Sequence, residues 1–166
     1  MTPIGHTAIS YCIGKASKKN KLIIPAIIIG IIPDIDFLFI GFEWFNQYHR
    51  VITHNIFFIG VIAFLIQRRY KLNKSELIFL LFVGFGHLFT DSIMDSNPTN
   101  GIGVSYFYPF DMNSYSPFNL LSNYESNTSW EQPIEMLRKS FRLIIWEIPF
   151  IILGVILMKN KKKHKS

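Results

Sequence analysis

Cysteine, charge and full-length apolar spans are all scarce in this chain of 166 residues. Cys12 is the only cysteine, which excludes a disulfide scaffold. Charged residues make up 17% of the chain, against roughly 25% in ordinary globular domains, so the groups that make a soluble surface are in short supply. No basic region precedes a cleavable apolar stretch, so a signal peptide of the usual form is not expected. Disorder is excluded from the opposite side, because 49% of the residues are hydrophobic and 16% aromatic. The length suits one domain over residues 1–166.

The charge that is present is segregated. Thirteen of the 17 Lys and Arg residues fall into three clusters. The first is Lys15, Lys18, Lys19 and Lys21, and the second is Arg68, Arg69, Lys71 and Lys74. The third is the C-terminal tail over 159–166, with Lys159, Lys161, Lys162, Lys163 and Lys165. Of the eleven acids, only Glu76 lies beside a basic cluster. Nucleic acid is a disfavoured partner, since the clusters lack interleaved aromatic residues.

Apolar runs separate the polar stretches: Leu22 to Ile32, Ile56 to Ile66, Leu77 to Phe89 and Leu143 to Met158, with a helical candidate at Thr7 to Ala16 before them. Each is apolar around its circumference, as in helices buried in a bundle or in lipid. The first three fall short of the roughly 20 residues that a spanning helix needs. The third extends to Met94 if Asp91 is shielded inside a bundle. The expected fold is all-α: a membrane-embedded antiparallel helical bundle with a metal site at one end. A soluble bundle is the competing reading.

With successive runs antiparallel, the three basic clusters share one end, which the positive-inside rule makes cytoplasmic. The basic tail then anchors at anionic headgroups. A loop at about 111–132 lies at the outward end, and Pro133 is placed to open the last helix. The same threading gathers His6, Asp34, Asp36, His49, His54, His87 and Asp91 at the outward end. An ionisable group within a membrane segment is costly unless paired or coordinated, so this set reads as functional. His87 and Asp91 are four residues apart, on one helix face, and can present a nitrogen and an oxygen to one ion. Asp95 continues that stripe. Asp34 and Asp36 follow Pro33, where the helix is expected to end and the pair to occupy a turn, addressing two cations or bridging them. His49 is expected in an approach loop, with Thr53 or Asn55 capping the helix near His54. Arg50 has the forked donors suited to a phosphate or carboxylate. The aromatic segment Phe37 to Tyr48 is a lipid-interface belt, a lip over the site or simple loop core.

Imidazole and carboxylate without thiolate favour Zn²⁺, with Mn²⁺ or Fe²⁺ as alternatives. Seven candidate ligands exceed the needs of one zinc, so two or more ions are expected. Paired metals fit hydrolysis, activating water and stabilising charge at the attacked centre.

In order along the chain, Gly5-His6, IIPDID through Asp36, HRVITHN from His49 to Asn55, HLFTD from His87 to Asp91 and GVSYFYPF from Gly103 to Phe110 resemble the YdjM family of membrane-bound metal-dependent hydrolases. Val51 and Asn55 stand where the family pattern has Gly and Ser. The family is in turn distantly similar to zinc-dependent phospholipases C and single-strand-specific zinc nucleases. That similarity implies His6, Asp34, His49, His87 and Asp91 as main ligands, with Asp36 and His54 close behind. It also implies hydrolysis of a phospholipid or another phosphodiester. Those relatives carry a His-x-x-x-Glu on a late helix, where this chain offers Glu147 without the His.

The leading expectation is therefore a membrane-bound metal-dependent hydrolase, in which Arg50 holds phosphate oxygens and Asp36 or His54 accepts a proton. Its partners are membrane lipids and a small phosphoester or lipid substrate. A non-catalytic metal-binding or metal-handling membrane protein is the alternative. A proton-coupled transporter is disfavoured by small size and by ligands gathered at one end.

Overall fold

The computed structural model describes residues 1–39, 42, 44–94, 103–117 and 133–163, with side chains of the last segment described over 144–159. The described chain is all-helical apart from an isolated bridge between Val104 and Tyr115. The elements are α1 (Pro3–Ala16), α2 (Ile23–Ile31), α3 (Phe45–Tyr48), α4 (Ile56–Tyr70), α5 (Lys74–Met94) and α6 (Pro133–Lys163).

Local chemistry sets the boundaries. Thr2 caps α1, its Oγ1 accepting from the Gly5 N–H at 3.2 Å, and Pro3 takes a first-turn position that needs no N–H. Asn55 caps α4, accepting from the Phe58 N–H at 2.8 Å. Asn73 and Glu76 cap the start of α5 reciprocally, each side chain accepting from the other's backbone N–H at 3.0 and 3.1 Å. Pro133 begins α6.

The expected turn after Pro33 takes a more regular form. The α-helix stops at Ile31, and a 3₁₀ helix continues over Ile32–Phe39. Pro33 removes a backbone donor, and the chain answers by tightening rather than by leaving the axis. Eight residues is long for this conformation, which rarely exceeds about four. It turns Asp34 and Asp36 toward different neighbours.

Helix direction follows from what meets at one end. His6 near the start of α1 and His54 just before α4 lie beside Asp34 after α2 and Asp91 near the end of α5. α1 and α4 therefore run opposite to α2 and α5. Glu147 bonds to Thr2, while Gly154 lies against Tyr11 and Cys12, so α6 runs in the direction of α1. At the far end, Lys19 and Lys21 both reach Glu76, at 3.1 and 2.8 Å, joining the α1–α2 link to the start of α5.

The core joins α2, α4 and α5 through Ala26, Ile29, Ile59, Ala63, Leu80 and Val83. Close approach is specified at Gly30, where a Cβ would lie 1.8 Å from Ser10 Oγ of α1. The outward surface is apolar as well. Ile78, Phe82, Phe85 and Phe89 form a helical stripe on α5 and are 57, 66, 42 and 47% exposed. Two segments, Asn20–Phe39 and Lys74–Met94, are long and apolar enough to cross a membrane, with mean hydropathies of 2.2 and 1.8. The extension of the third apolar run to Met94 is realised, and Asp91 is shielded at 1% exposure. Of the loop expected at 111–132, residues 118–132 lie outside the described residues, as do Asp95 and the last three residues of the basic tail.

Candidate metal centre

Four elements deliver buried polar side chains to one point. His6 comes from the second turn of α1, Asp34 from the 3₁₀ helix, His54 from the residue before the α4 cap, and His87 and Asp91 from one face of α5. All five are buried. One donor atom each from His6, Asp34, His87 and Asp91 lie within 4.8 Å of one another, a group that could hold a metal ion.

His54 Nε2 lies 3.2 Å from Asp91 Oδ2 and 3.5 Å from Asp34 Oδ1, and His87 Nε2 lies 3.4 and 3.8 Å from the same two oxygens. A tetrahedral ion with bonds of about 2.1 Å separates its ligand atoms by about 3.4 Å. These four nitrogen–oxygen separations are close to the edges of such a shell. His54 Nε2, His87 Nε2, Asp34 Oδ2 and Asp91 Oδ2 are also buried without a hydrogen-bond partner. Such atoms are expensive to bury unless something else satisfies them. The donor set fits a divalent cation.

Neighbouring groups aim these atoms. His87 Nδ1 donates to the Gly30 carbonyl at 2.8 Å, which leaves the Nε2 lone pair facing the carboxylates. Thr53 Oγ1 lies 3.0 Å from His54 Nδ1 and donates to Asp36 Oδ2 at 3.3 Å, an arrangement in which Nδ1 carries the His54 proton. Burial opposes charge on His54, but Asp34, Asp91 and Asp36 outweigh it and raise its pKa to about 9. A metal ion at Nε2 would have to displace the second proton, so binding here is coupled to proton release. His6 Nε2 lies 2.8 Å and the Met1 amino nitrogen 2.6 Å from Asp91 Oδ1.

Asp36 and His49 form a second pair beside this group. His49 Nδ1 lies 2.9 Å from Asp36 Oδ2, which also accepts from the Arg50 N–H at 3.3 Å. Asp36 Oδ1 is buried with no hydrogen-bond partner. The His49 ring lies between Phe37 and Phe45, at 4.9 and 4.8 Å, and burial pushes its pKa down against the pull of Asp36. Among the described residues, Asp36 meets the first group at His54 Nδ1, at 3.8 Å. Five of the seven sequence-derived ligands thus converge, and the other two pair alongside.

The loop between the pairs explains both departures from the family pattern. Arg50 takes the left-handed conformation, with φ of 63°, whereas Val51 does not, so no glycine is needed at 51. Asn55 does more than a serine can, donating to Val51 O at 3.1 Å and Ile52 O at 2.7 Å while it caps α4.

Thr53 and the Gly30 carbonyl carried no sequence signal as positioning groups. Glu147 did, as the acid set against the His-x-x-x-Glu of the distant relatives. It is fully buried and accepts from the Thr2 N–H at 2.6 Å and Thr2 Oγ1 at 2.5 Å. A Cβ on Gly5 would lie 2.5 Å from its carboxyl carbon, so Glu147 packs directly on the turn that carries His6.

Fold and site together define an all-helical membrane protein with a buried histidine–carboxylate group able to hold a metal ion. The chain belongs to the YdjM inner membrane protein family, which it matches over residues 1–163. It is also similar to Inner membrane protein YbcI of Escherichia coli (strain K12), with 28% identity over 132 residues, covering 72% of this chain and 75% of that protein. No solved structure matches the chain.

Proposed function

We propose that this is a multi-pass, membrane-bound metal-dependent hydrolase of phosphoesters, with its centre on the outward face and its basic end and tail in the cytoplasm. The carrying observation is the convergence of His54 Nε2, His87 Nε2, Asp34 and Asp91 at 3.2–3.8 Å, with buried atoms of all four lacking hydrogen bonds. The nitrogen and oxygen donors favour zinc, with manganese or iron as alternatives. The adjoining Asp36–His49 pair supports a second ion.

A divalent ion bound here would activate water and neutralise charge at phosphorus. The chain's own residues supply the rest. Arg50, set beside His49 by its left-handed backbone, orients the phosphate. Asp36 is the proton acceptor, because its Oδ1 has no hydrogen-bond partner while its Oδ2 is held by His49, Arg50 and Thr53. His54 faces the carboxylates and serves as a ligand.

Turnover of a soluble phosphodiester and a phospholipid by metal-replete protein, compared with Asp91→Ala, tests the reading. Loss of activity in the variant is expected. Metal binding without turnover on either substrate would favour a non-catalytic metal-handling role.

A further inference from the structure

Both candidate spans end at the site. Asp34 precedes the end of Asn20–Phe39 by five residues, and Asp91 precedes the end of Lys74–Met94 by three. At about 2.0 Å per residue in a 3₁₀ helix and about 1.5 Å in an α-helix, these carboxylates lie about 5–10 Å inside the span ends. That keeps them near the edge of the hydrocarbon core, short of the midplane about 15 Å in.

An aromatic cluster starts where the first span stops. Phe39, Phe42, Trp44 and Tyr48 are 42, 56, 41 and 38% exposed. Their rings touch in sequence, Phe39–Trp44 at 5.4 Å, Phe42–Trp44 at 5.7 Å and Trp44–Tyr48 at 6.4 Å. The same segment supplies Phe37 and Phe45, which enclose His49. Loop core is thereby excluded as the account of these four rings, since they pack on one another and face outward. Trp and Tyr are the residues that settle at headgroup level. The five converging ligands are more deeply buried than Arg50, which is half-buried and follows Tyr48 by two residues.

Resting on the hydrolase reading above, we infer that Phe39, Phe42, Trp44 and Tyr48 form a membrane-seated lip, and that the substrate is a phosphodiester carried by a membrane glycerophospholipid and presented from the bilayer beside Arg50. The lip inserts among the acyl chains nearest the headgroups, so a phospholipid bound there brings its phosphate to the depth of the ligands without leaving the membrane. A soluble phosphodiester gains nothing from the lip.

The experiment uses the full chain in phosphatidylethanolamine–phosphatidylglycerol vesicles, with bis(p-nitrophenyl) phosphate as the soluble probe. The combined Phe39→Ser, Phe42→Ser and Trp44→Ser variant is expected to raise the apparent KM for vesicle phospholipid by roughly tenfold, with soluble-diester turnover within about twofold of wild type. Equal effects on both substrates, or no effect on the phospholipid, would overturn the inference. A second readout is independent of turnover. In a chain with Trp130→Phe and Trp146→Phe, Trp44 fluorescence should be quenched by phospholipids brominated near the headgroup. Absence of quenching, as when a second copy covers the patch, overturns the lip. Quenching with no turnover of either probe overturns the hydrolase reading and the substrate assignment together, and leaves the lip standing.

Discussion

His87 and Gly30 hold each other across α5 and α2: the Nδ1 hydrogen of the imidazole bonds the glycine carbonyl at 2.8 Å, and the opposite ring nitrogen is thereby turned on Asp34 and Asp91. The same glycine admits Ser10 of α1 on its other side, so a single backbone position sets the spacing of three helices around the site.

Gly30→Ala should therefore destabilise the bundle. A Cβ there would lie 1.8 Å from Ser10 Oγ and 2.7 Å from Ser10 Cβ. Overpacking of this kind costs about 1–3 kcal/mol, and an approach this close belongs in the upper part of that range, above the roughly 1 kcal/mol of helix propensity gained. Thermal unfolding in detergent should show a lower Tm, partly restored by adding Ser10→Gly. A Tm unchanged in the single variant would contradict the close approach.

Asn55 separates capping from loop closure. Asn55→Ala removes the cap of α4 and both bonds to Val51 and Ile52, and should cost about 1–2 kcal/mol. Asn55→Ser, which restores the family's residue, keeps an acceptor for Phe58 but loses the two donors, and should fall between alanine and wild type. Chemical unfolding of the three proteins checks the order.

Thr53 connects Asp36 to His54. Thr53→Val keeps the shape and removes both bonds. Supporting hydrogen bonds of this type are worth about 10–100-fold in metal affinity, so the variant should bind zinc at least about tenfold more weakly in chelator competition while remaining folded. Unchanged affinity would show that His54 is oriented by packing alone.

At the opposite end, Glu76 gathers Lys19 and Lys21, both about half exposed, while it completes the cap with Asn73. Glu76→Gln should lower the Tm, and the difference should shrink at high salt because the lysine partners are screened. A salt-independent loss would assign the effect to the cap.

Much of this was legible from spacing. An up-and-down threading of five ordered segments is enough to bring His6, Asp34, His54, His87 and Asp91 to one end, and a cap at Thr53 or Asn55 reads before the apolar run of α4, where the structure uses Asn55. The 3₁₀ continuation through Pro33 was not legible, because proline forbids an α-helical bond without saying what replaces it. The pairing of Asp36 with His49 depends on that rotation, since two residues on a 3₁₀ helix diverge where a loose turn leaves them free. Glu147 could be singled out only by comparison with the relatives' His-x-x-x-Glu. Its partner Thr2 is 145 residues away, and only tertiary packing reveals it. The exposure of Phe39, Phe42, Trp44 and Tyr48 was equally hidden, because aromatic residues serve a core and an interface alike.

Elemental analysis of the purified chain decides whether the converging histidines and carboxylates hold a divalent ion. Protein exchanged against zinc, manganese and iron and then desalted should retain about one or more equivalents per chain, with zinc preferred. His87→Ala and Asp91→Ala should each lose most of that metal while keeping the wild-type far-UV circular dichroism. Wild-type protein that retains no metal, or folded variants that retain as much as wild type, would contradict the account.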